Sequence, residues 1–184
     1  MTPAQSALVA ALREHAIREG TFTLASGRTS SWYLDGRQVA FRGDCLEIVG
    51  EAIVEALAVV GVDANDYDAV GGPVVGAIPV ALAVAFVTGK PSFAIRPEPK
   101  GHGVGGRIAG VLDAGQKVLV VEDTATSGGS LLDALAPLDE MGCPIAAVSL
   151  MLDRGGVLAA KLAERGIAYA PVLGAPDLGY EFGS

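Results

Sequence analysis

The chain has 184 residues, and 13 Lys or Arg against 21 Asp or Glu give it a net charge of −8 at pH 7. Its residues are 51% apolar but only 5% aromatic, and the mean hydropathy of +0.44 excludes general disorder. An acidic chain is poorly suited to bind nucleic acid, because that affinity depends on Lys and Arg at phosphates. We therefore expect no nucleic-acid partner, and one domain over residues 1–184 with a core of small aliphatic side chains.

The sequence carries no pattern of a membrane or secreted protein. Its most apolar run, residues 77–87, is far shorter than the roughly 20 residues that cross a bilayer. The N-terminal residues lack the basic start and apolar block of a signal peptide. Cys45 and Cys143 form neither a disulfide framework nor a zinc spacing. We expect a cytoplasmic protein with two reduced thiols and no membrane partner.

Helical patterns dominate the first 60 residues. Thr2-Pro3-Ala4-Gln5 predicts a helix N-terminus with a capping box, and Gly20 is expected to end that helix. Apolar residues that step by three and four predict a second helix from about Asp44 to Gly61. We expect these elements to form a small N-terminal lobe over about residues 1–60.

From residue 61 onwards, short apolar runs alternate with helical patterns. The predicted strands are 67–70, 92–96, 118–121, 145–152 and 168–173, and the predicted helices are 77–87, 130–141 and 156–165. Such alternation predicts an α/β fold with a parallel sheet flanked by helices. In such sheets ligands bind beyond the carboxyl ends of the strands, so the residues after each strand are the first candidates for a site.

The strongest candidate follows the apolar run of residues 118–121. Glu122 and Asp123 come next, and the small residues from Thr124 to Ser130 then lead into a helix. Small hydroxyls and glycines let backbone N–H groups surround an anion at a helix N-terminus. The two carboxylates cannot bind that anion, but they suit sugar hydroxyls or a divalent metal. The segment therefore predicts a site for a phosphorylated sugar.

A cationic, glycine-rich segment stands out in this acidic chain. Residues 96–107 contain Arg96, Lys100, His102 and Arg107 but a single acid. A mobile basic loop can supply positive charge to a polyphosphate and exclude water when it closes. We expect a lid here, and the alternative is a solvated surface loop.

Three weaker candidates each have a structural alternative. The backbone of Gly71–Gly76 could approach a second phosphate, or it is only a tight turn. Arg154 could hold a carboxylate in a fork, or it belongs to a surface ion pair. Residues 22–37 contain Arg28, Arg37 and aromatic side chains on which a flat heterocycle could stack. The alternative for that segment is the core of the N-terminal lobe.

Residues 118–130 resemble the signature of type I phosphoribosyltransferases, which bind 5-phosphoribosyl 1-diphosphate (PRPP) on a Rossmann-like parallel sheet with a separate hood. Three more segments resemble motifs of the orotate phosphoribosyltransferases: Phe22-Thr-Leu-Ala-Ser-Gly-Arg28, Arg96 to Gly110, and Asp153-Arg154. That resemblance implies Mg²⁺-dependent transfer of ribose 5-phosphate from PRPP to orotate, giving orotidine 5-phosphate and diphosphate in pyrimidine biosynthesis. The alternatives are transfer to another base, a regulator that binds PRPP without catalysis, and a general sugar-phosphate binder.

The resemblance also implies residue roles and partners. Lys100 and His102 would be catalytic, reaching the diphosphate in the neighbouring subunit's site, which implies a homodimer with a shared loop. PRPP would contact Arg96, Lys100, His102, Glu122, Asp123, Thr124, Ala125, Thr126, Ser127, Gly128, Gly129, Ser130, Gly72, Pro73 and Gly76. Orotate would contact Thr126, Arg154, Tyr33 and Arg28. Mg²⁺ would be held through PRPP, with Glu122 and Asp123 as the candidate protein ligands.

The chain departs from the family pattern at several of these positions. Ala25, Pro97 and Gly76 stand where basic residues are usual, and Gly155-Gly156 follow Asp153-Arg154 where an acid is usual. These departures concern contacts with PRPP more than the type of reaction.

Overall fold

The computed structural model describes residues 1–23, 29–99, 106–126 and 128–182. The strands are β1 (Ile17–Thr23), β2 (Thr29–Leu34), β3 (Ala69–Pro73), β4 (Ser92–Ile95), β5 (Ile108–Gly110), β6 (Val118–Ala125), β7 (Ile145–Asp153), β8 (Ala168–Tyr169) and β9 (Leu173–Gly174). The α-helices are α1 (Pro3–Ala11), α2 (Arg37–Ala40), α3 (Leu46–Val59), α4 (Ala77–Thr88), α5 (Gly129–Glu140) and α6 (Leu158–Glu164). A π-helical turn spans Leu12–Ala16, and 3₁₀ turns span Gly43–Cys45 and Ala175–Leu178.

Within these ranges the main sheet has seven strands in the order β5-β4-β3-β6-β7-β8, with β9 also beside β7. All of its pairs are parallel except β4 with β5, which is antiparallel. The predicted α/β fold with a mostly parallel sheet is therefore confirmed. The carboxyl ends of β3, β6 and β7 lie together at one edge, where ligands bind in folds of this kind.

Apolar side chains pack on both faces of this sheet. Along β6, Leu119 and Val121 join the cluster that contains α1, α3 and α4. Val118 and Val120 point to the opposite face and join the cluster that contains α5 and α6. All four side chains are fully buried. The continuous apolar run is explained by this burial, because a central parallel strand needs apolar residues on both faces.

The first helix starts as predicted but ends earlier. The Thr2 hydroxyl accepts the Gln5 N–H at 3.1 Å, and Gln5 Oε1 accepts the Thr2 N–H at 2.9 Å, which completes the capping box. The expectation that Gly20 ends this helix is wrong, because residues 17–23 form β1 and pair antiparallel with β2. Along β2, burial alternates, with Trp32 and Leu34 facing inward. Pairing with this half-buried strand overrides the local helical pattern.

Other boundaries differ because strand pairing continues past the apolar runs. β6 extends beyond the predicted 118–121, since Glu122 pairs with Leu150 and Thr124 with Leu152 on β7. The acids therefore lie within a strand and not after it. β3 also continues past its predicted end, to Pro73, although it begins later than predicted. Two further boundaries differ: α6 begins at 158 and not at 156, and the predicted strand 168–173 is two short strands. In the described ranges, none of the helices is long and apolar enough to span a bilayer.

Candidate active site

The end of β6 and the start of α5 surround a hollow of about 120 Å³. It is lined by Glu122, Thr124, Ala125, Thr126, Gly128, Gly129, Ser130 and Leu131. Gly128 adopts the left-handed conformation, with φ of +72°, directly before the first turn of α5. The free N–H groups of that turn and the helix dipole favour an anion here. The structure thus brings together the predicted phosphate-binding residues, except Ser127, which lies outside the described residues.

A larger cleft of about 350 Å³ adjoins this hollow. Its walls come from the end of β2, the β3–α4 turn and β6, namely Tyr33, Leu34, Asp35, Gly36, Arg37, Pro73, Val74, Gly76, Glu122, Asp123, Thr124 and Ser130. Cleft and hollow share Glu122, Thr124 and Ser130. Gly72 is buried in β3, where a Cβ would lie 2.7 Å from that of Ala77, and it is not among the residues that line the cleft. Segments far apart in the sequence therefore form one continuous site.

Two adjacent carboxyl groups form the floor of the cleft. Asp123 is 9% exposed, and its N–H donates to Glu122 Oε1 at 3.1 Å. Burial raises the pKa of Glu122 to about 9, and the neighbouring Asp123 charge adds to this effect. Burial also raises the pKa of Asp123. Two buried acids without a cation between them are unfavourable, so the pair suits a metal ion or the hydroxyl donors of a sugar.

A cation here would also need ligands other than protein side chains. Within the described ranges, no group of three or more His, Cys, Asp or Glu residues is placed to hold a metal ion. Glu122 and Asp123 would therefore bind Mg²⁺ together with oxygen atoms of a bound substrate. This arrangement fits Mg²⁺, which is usually held by one or two carboxylates plus phosphate oxygens and water.

Glycines lie against the Asp123 carboxylate on both sides. A Cβ at Gly76 would lie 2.6 Å from Asp123 Cγ and 3.0 Å from Glu122 Oε1. A Cβ at Gly36 would lie 2.9 Å from Asp123 Oδ2 and 2.8 Å from Thr124 Cγ2. The absence of a basic side chain at Gly76 therefore has a steric explanation, because the carboxylate occupies the space that any side chain there would need.

The end of β2 adds an ion pair to the cleft wall, in which Arg37 belongs to the predicted segment of residues 22–37 but no role was predicted for Asp35. Arg37 Nε donates to Asp35 Oδ1 at 2.7 Å, and Arg37 Nη2 donates to Asp35 Oδ2 at 3.2 Å. The Arg37 guanidinium holds the pKa of Asp35 below its usual range. The same guanidinium also acts to lower the pKa of Asp123. Asp35 and Gly36 directly follow β2, and that position after a strand was the available signal.

Arg154 lies at the end of β7 and is only 8% exposed. The backbone N–H of Arg154 donates to the Ala125 carbonyl at 2.8 Å, which connects this residue to the phosphate-binding segment. Its guanidinium carbon lies 4.4 Å from the centroid of the Trp32 ring. Burial lowers the pKa of Arg154. The Arg154 side chain is therefore buried and not part of the exposed surface.

Tyr33 and Arg96 line two different cavities of the site. Tyr33 is 41% exposed at the cleft, and its ring centroid lies 5.6 Å from that of Phe22. Arg96 lines a neighbouring hollow of about 240 Å³ together with Pro73 and Ser130. Arg107, on the same wall, donates from Nε to the Arg96 carbonyl at 2.8 Å. The predicted residues Lys100, His102 and Arg28 lie outside the described residues.

Comparisons with known proteins give a consistent result. No protein-family model matches the chain. It is 37% identical over 167 residues to an orotate phosphoribosyltransferase of Thermococcus gammatolerans, covering 91% of this chain and 87% of the relative. It is 38% identical over 178 residues to that of Corynebacterium glutamicum, covering 96% of this chain and 94% of the relative.

A solved structure agrees with these relatives. Orotate phosphoribosyltransferase of Mycobacterium tuberculosis, crystallised in complex with PRPP, superimposes with a TM-score of 0.81 at 32% identity, covering 97% of this chain and 100% of that one. Relatives above 30% identity thus extend over nearly the whole sequence. The chain belongs to the orotate phosphoribosyltransferase family.

Proposed function

We propose that the chain transfers ribose 5-phosphate from PRPP to N1 of orotate and releases diphosphate, in a Mg²⁺-dependent reaction of pyrimidine biosynthesis. One observation carries this proposal beyond family membership. The hollow at the start of α5, which suits a phosphate, opens into the cleft whose floor is the carboxyl pair Glu122 and Asp123. A ribose 5-phosphate matches both chemistries at once, because its phosphate and its hydroxyls need partners of opposite kinds.

Each part of PRPP is assigned here to a different group of residues. The segment Thr126–Ser130 would hold the 5-phosphate, and the two acids would accept hydrogen bonds from the ribose hydroxyls. The diphosphate would extend along Pro73–Gly76 towards Arg96, whose hollow also borders Pro73. Lys100 and His102, from the basic segment that follows Arg96, would neutralise the leaving group. Bound Mg²⁺, held by the acids and substrate oxygens, would supply further positive charge to the diphosphate.

The reaction needs no covalent nucleophile from the protein. The enzyme has to hold orotate N1 near the anomeric carbon while the diphosphate departs, and it has to stabilise the departing charge. Tyr33 would stack on the orotate ring, and Arg154, Arg28 and Thr126 would bind its polar edge. An anionic pyrimidine suits two arginines, whereas a neutral purine does not.

We further propose a homodimer in which the basic loop of each subunit, residues 96–107, reaches the active site of the other subunit. Leu82 and Phe86 are 51% and 66% exposed, and they lie four residues apart on one face of α4. A second copy of the chain could bury this apolar face. If the loop acts across the interface, mixing Lys100→Ala and Arg154→Ala subunits restores activity, because one hybrid site receives both intact residues. A mixture that stays inactive after subunit exchange would exclude a shared loop.

The domain organisation and cellular location are proposals of the same kind. Helices α1 and α3 contribute Leu8 and Ile53 to the cluster that contains Val70 and Leu119 of the sheet, which supports a single domain. Cys45 and Cys143 are free and buried. Free thiols are typical of reducing compartments, which supports a cytoplasmic location.

A phosphoribosyl-transfer assay tests the proposed reaction. The protein is mixed with PRPP, Mg²⁺ and orotate, and the loss of orotate absorbance is followed, with uracil, adenine and hypoxanthine as parallel substrates. We expect turnover of orotate alone, and its loss when the divalent cation is chelated. Turnover of another base without orotate would support the alternative transferase, and PRPP binding without any turnover would support the regulator.

Gly76→Ala is expected to raise the KM for PRPP about tenfold, because its Cβ displaces the Asp123 carboxylate from the cleft floor. The KM for orotate should change much less. Gly43→Ala is the matched control, since a Cβ there meets no atom within 4 Å. Initial-rate kinetics with each substrate varied in turn provide the measurement. An unchanged KM for PRPP would show that the position of this carboxylate is unimportant for PRPP binding.

A further inference from the structure

The only tryptophan of the chain, Trp32, is covered by groups from two distant parts of the sequence. Its ring is fully buried and lies 4.1 Å from the Tyr180 ring, with 6° between the ring planes. The Arg154 guanidinium carbon lies 4.4 Å from the Trp32 centroid. Because the phenol ring already covers one face at contact distance, the guanidinium takes the opposite face. The stack therefore runs in the order Tyr180, Trp32, Arg154.

A second residue of the C-terminal segment packs on the turn that carries Arg154. Gly155 has φ of +88°, and a Cβ built there would lie 2.8 Å from both Cβ and Cδ1 of Phe182. The Gly155 N–H donates to Asp153 Oδ1 at 2.8 Å, which closes the turn after β7. The Phe182 ring also covers Gly174, where a Cβ would lie 3.1 Å from Cζ. The glycine that follows Arg154 thus makes room for Phe182.

The C-terminal segment is itself tied to the body of the protein. Leu178 is buried, and its carbonyl accepts a hydrogen bond from Arg13 Nη2 at 3.2 Å. The Tyr180 N–H donates to the Ala175 carbonyl at 3.1 Å. The Tyr180 hydroxyl donates to Glu19 Oε1 on β1 at 3.3 Å. A segment held at these points can support the groups that pack on it.

We propose that residues 178–182 form a positioning element for Arg154, acting through Trp32 by the Tyr180 stack and through Gly155 by the Phe182 contact. The inference rests on the proposed function, in which Arg154 binds orotate. A free arginine side chain has many rotamers, and ordering them when substrate binds weakens affinity. Holding the guanidinium against a buried indole removes most of that loss in advance. None of residues 178–182 is among the described residues that line the hollow and the cleft proposed to bind PRPP.

This placement predicts a selective effect on orotate. Tyr180→Ala and Phe182→Ala, each made in the full chain, should raise the KM for orotate about tenfold, which corresponds to about 1.4 kcal/mol. The KM for PRPP and kcat should each stay within about twofold of the wild type. Tyr180→Phe keeps the stacked ring but loses the hydrogen bond to Glu19, so it should restore the wild-type KM for orotate.

Intrinsic fluorescence gives a second readout that does not depend on turnover. Because Trp32 is the only tryptophan, its emission reports the stack directly. Tyr180→Ala should change the emission spectrum before any substrate is added, and Tyr180→Phe should not. Thermal unfolding of each variant shows whether the fold is intact at the assay temperature.

The possible results separate this inference from the proposed reaction. Unchanged orotate KM in both alanine variants would overturn it, as would an equal rise in the KM values of both substrates that Tyr180→Phe fails to restore. If the wild-type chain does not turn over orotate, the proposed function fails. The fluorescence then still tests the stack, and identical emission from wild type and Tyr180→Ala would show that Tyr180 does not hold Trp32.

Discussion

Arg154→Ala is expected to lower kcat/KM for orotate by about 10²–10³-fold while the KM for PRPP stays close to the wild-type value. Arg154 is 8% exposed and packs against Trp32, so its charge is partly desolvated and its side chain is held in place before substrate arrives. Losing one member of a buried charge pair costs about 2–5 kcal/mol, more than an exposed contact would. The carboxylate of orotate would lose its guanidinium partner and gain no substitute.

Two further variants show whether the guanidinium itself is needed. Arg154→Lys keeps a positive charge but cannot form the planar stack or a bidentate hydrogen bond to a carboxylate. We therefore expect most of the loss in kcat/KM for orotate to remain. Arg165→Ala is the surface control, because Arg165 pairs with Asp139 on the exterior at 2.7 Å. Removing that exposed pair should change kcat/KM little, since such pairs contribute about 0–1 kcal/mol. Full activity in Arg154→Lys would mean that charge alone suffices.

The sequence was most informative where local pattern and tertiary structure agree. The capping box at Thr2 and the buried strand that begins at Val118 form as predicted, because each depends on neighbouring residues or on burial from both faces. The cleft segments that follow β3 and β6 also meet as expected for the carboxyl ends of parallel strands. The rule does not cover the wall from the end of β2, because β2 belongs to a separate antiparallel pair.

The missed features depend on contacts between distant residues. The β1 strand has no alternation of its own, and Gly20 in its middle resembles a helix stop, so only its pairing with β2 defines it. The close approach of Gly36 and Gly76 to Asp123 joins three parts of the chain. The residues beside Gly36 and Gly76 do not distinguish these glycines from those of an ordinary turn. The stack on Arg154 likewise needs Tyr180, which local patterns do not connect with the site.

The distribution of charge links fold and proposed chemistry. The chain has a net charge of −8, yet Arg37, Arg96 and Arg107 line the cleft and the adjoining hollow. PRPP and orotate are anions, so a group of cations at the site of an otherwise acidic chain would direct both substrates there. The buried carboxyl pair opposes this attraction. Its presence in such a place indicates a functional need that outweighs its effect on stability.

Glu122→Gln and Asp123→Asn should therefore change activity and stability in opposite directions. We expect kcat/KM for PRPP to fall by about 10²-fold or more in each variant, because an amide accepts hydrogen bonds from ribose hydroxyls and binds Mg²⁺ less well than a carboxylate. At pH 8 each variant should be more stable than the wild type by about 1–3 kcal/mol, since a buried amide needs neither to take up a proton nor to carry a charge when the chain folds.

The pH dependence of stability gives the sharper test. Burial raises the pKa of Glu122 to about 9, against 4.5 for an ordinary glutamic acid. Below the lower value, both folded and unfolded chains hold the proton. Between the two values the folded protein keeps a proton that the unfolded chain has released, so this group makes the free energy of unfolding fall as pH rises. Glutamine at 122 cannot ionise, and it should flatten that slope.

Urea unfolding from pH 5 to pH 9 measures this slope for the wild type, Glu122→Gln and the exposed control Glu164→Gln. The Glu122→Gln curve should lie above that of the wild type at high pH and converge with it near pH 5. The control should follow the wild type, because Glu164 is exposed and its ion pair with Lys161, at 3.0 Å, lies on the surface. Parallel curves for Glu122→Gln and wild type would mean that Glu122 is ionised in the folded protein without cost. Greater stability together with lost PRPP turnover would instead show that the carboxyl pair is kept for binding, at the expense of the fold.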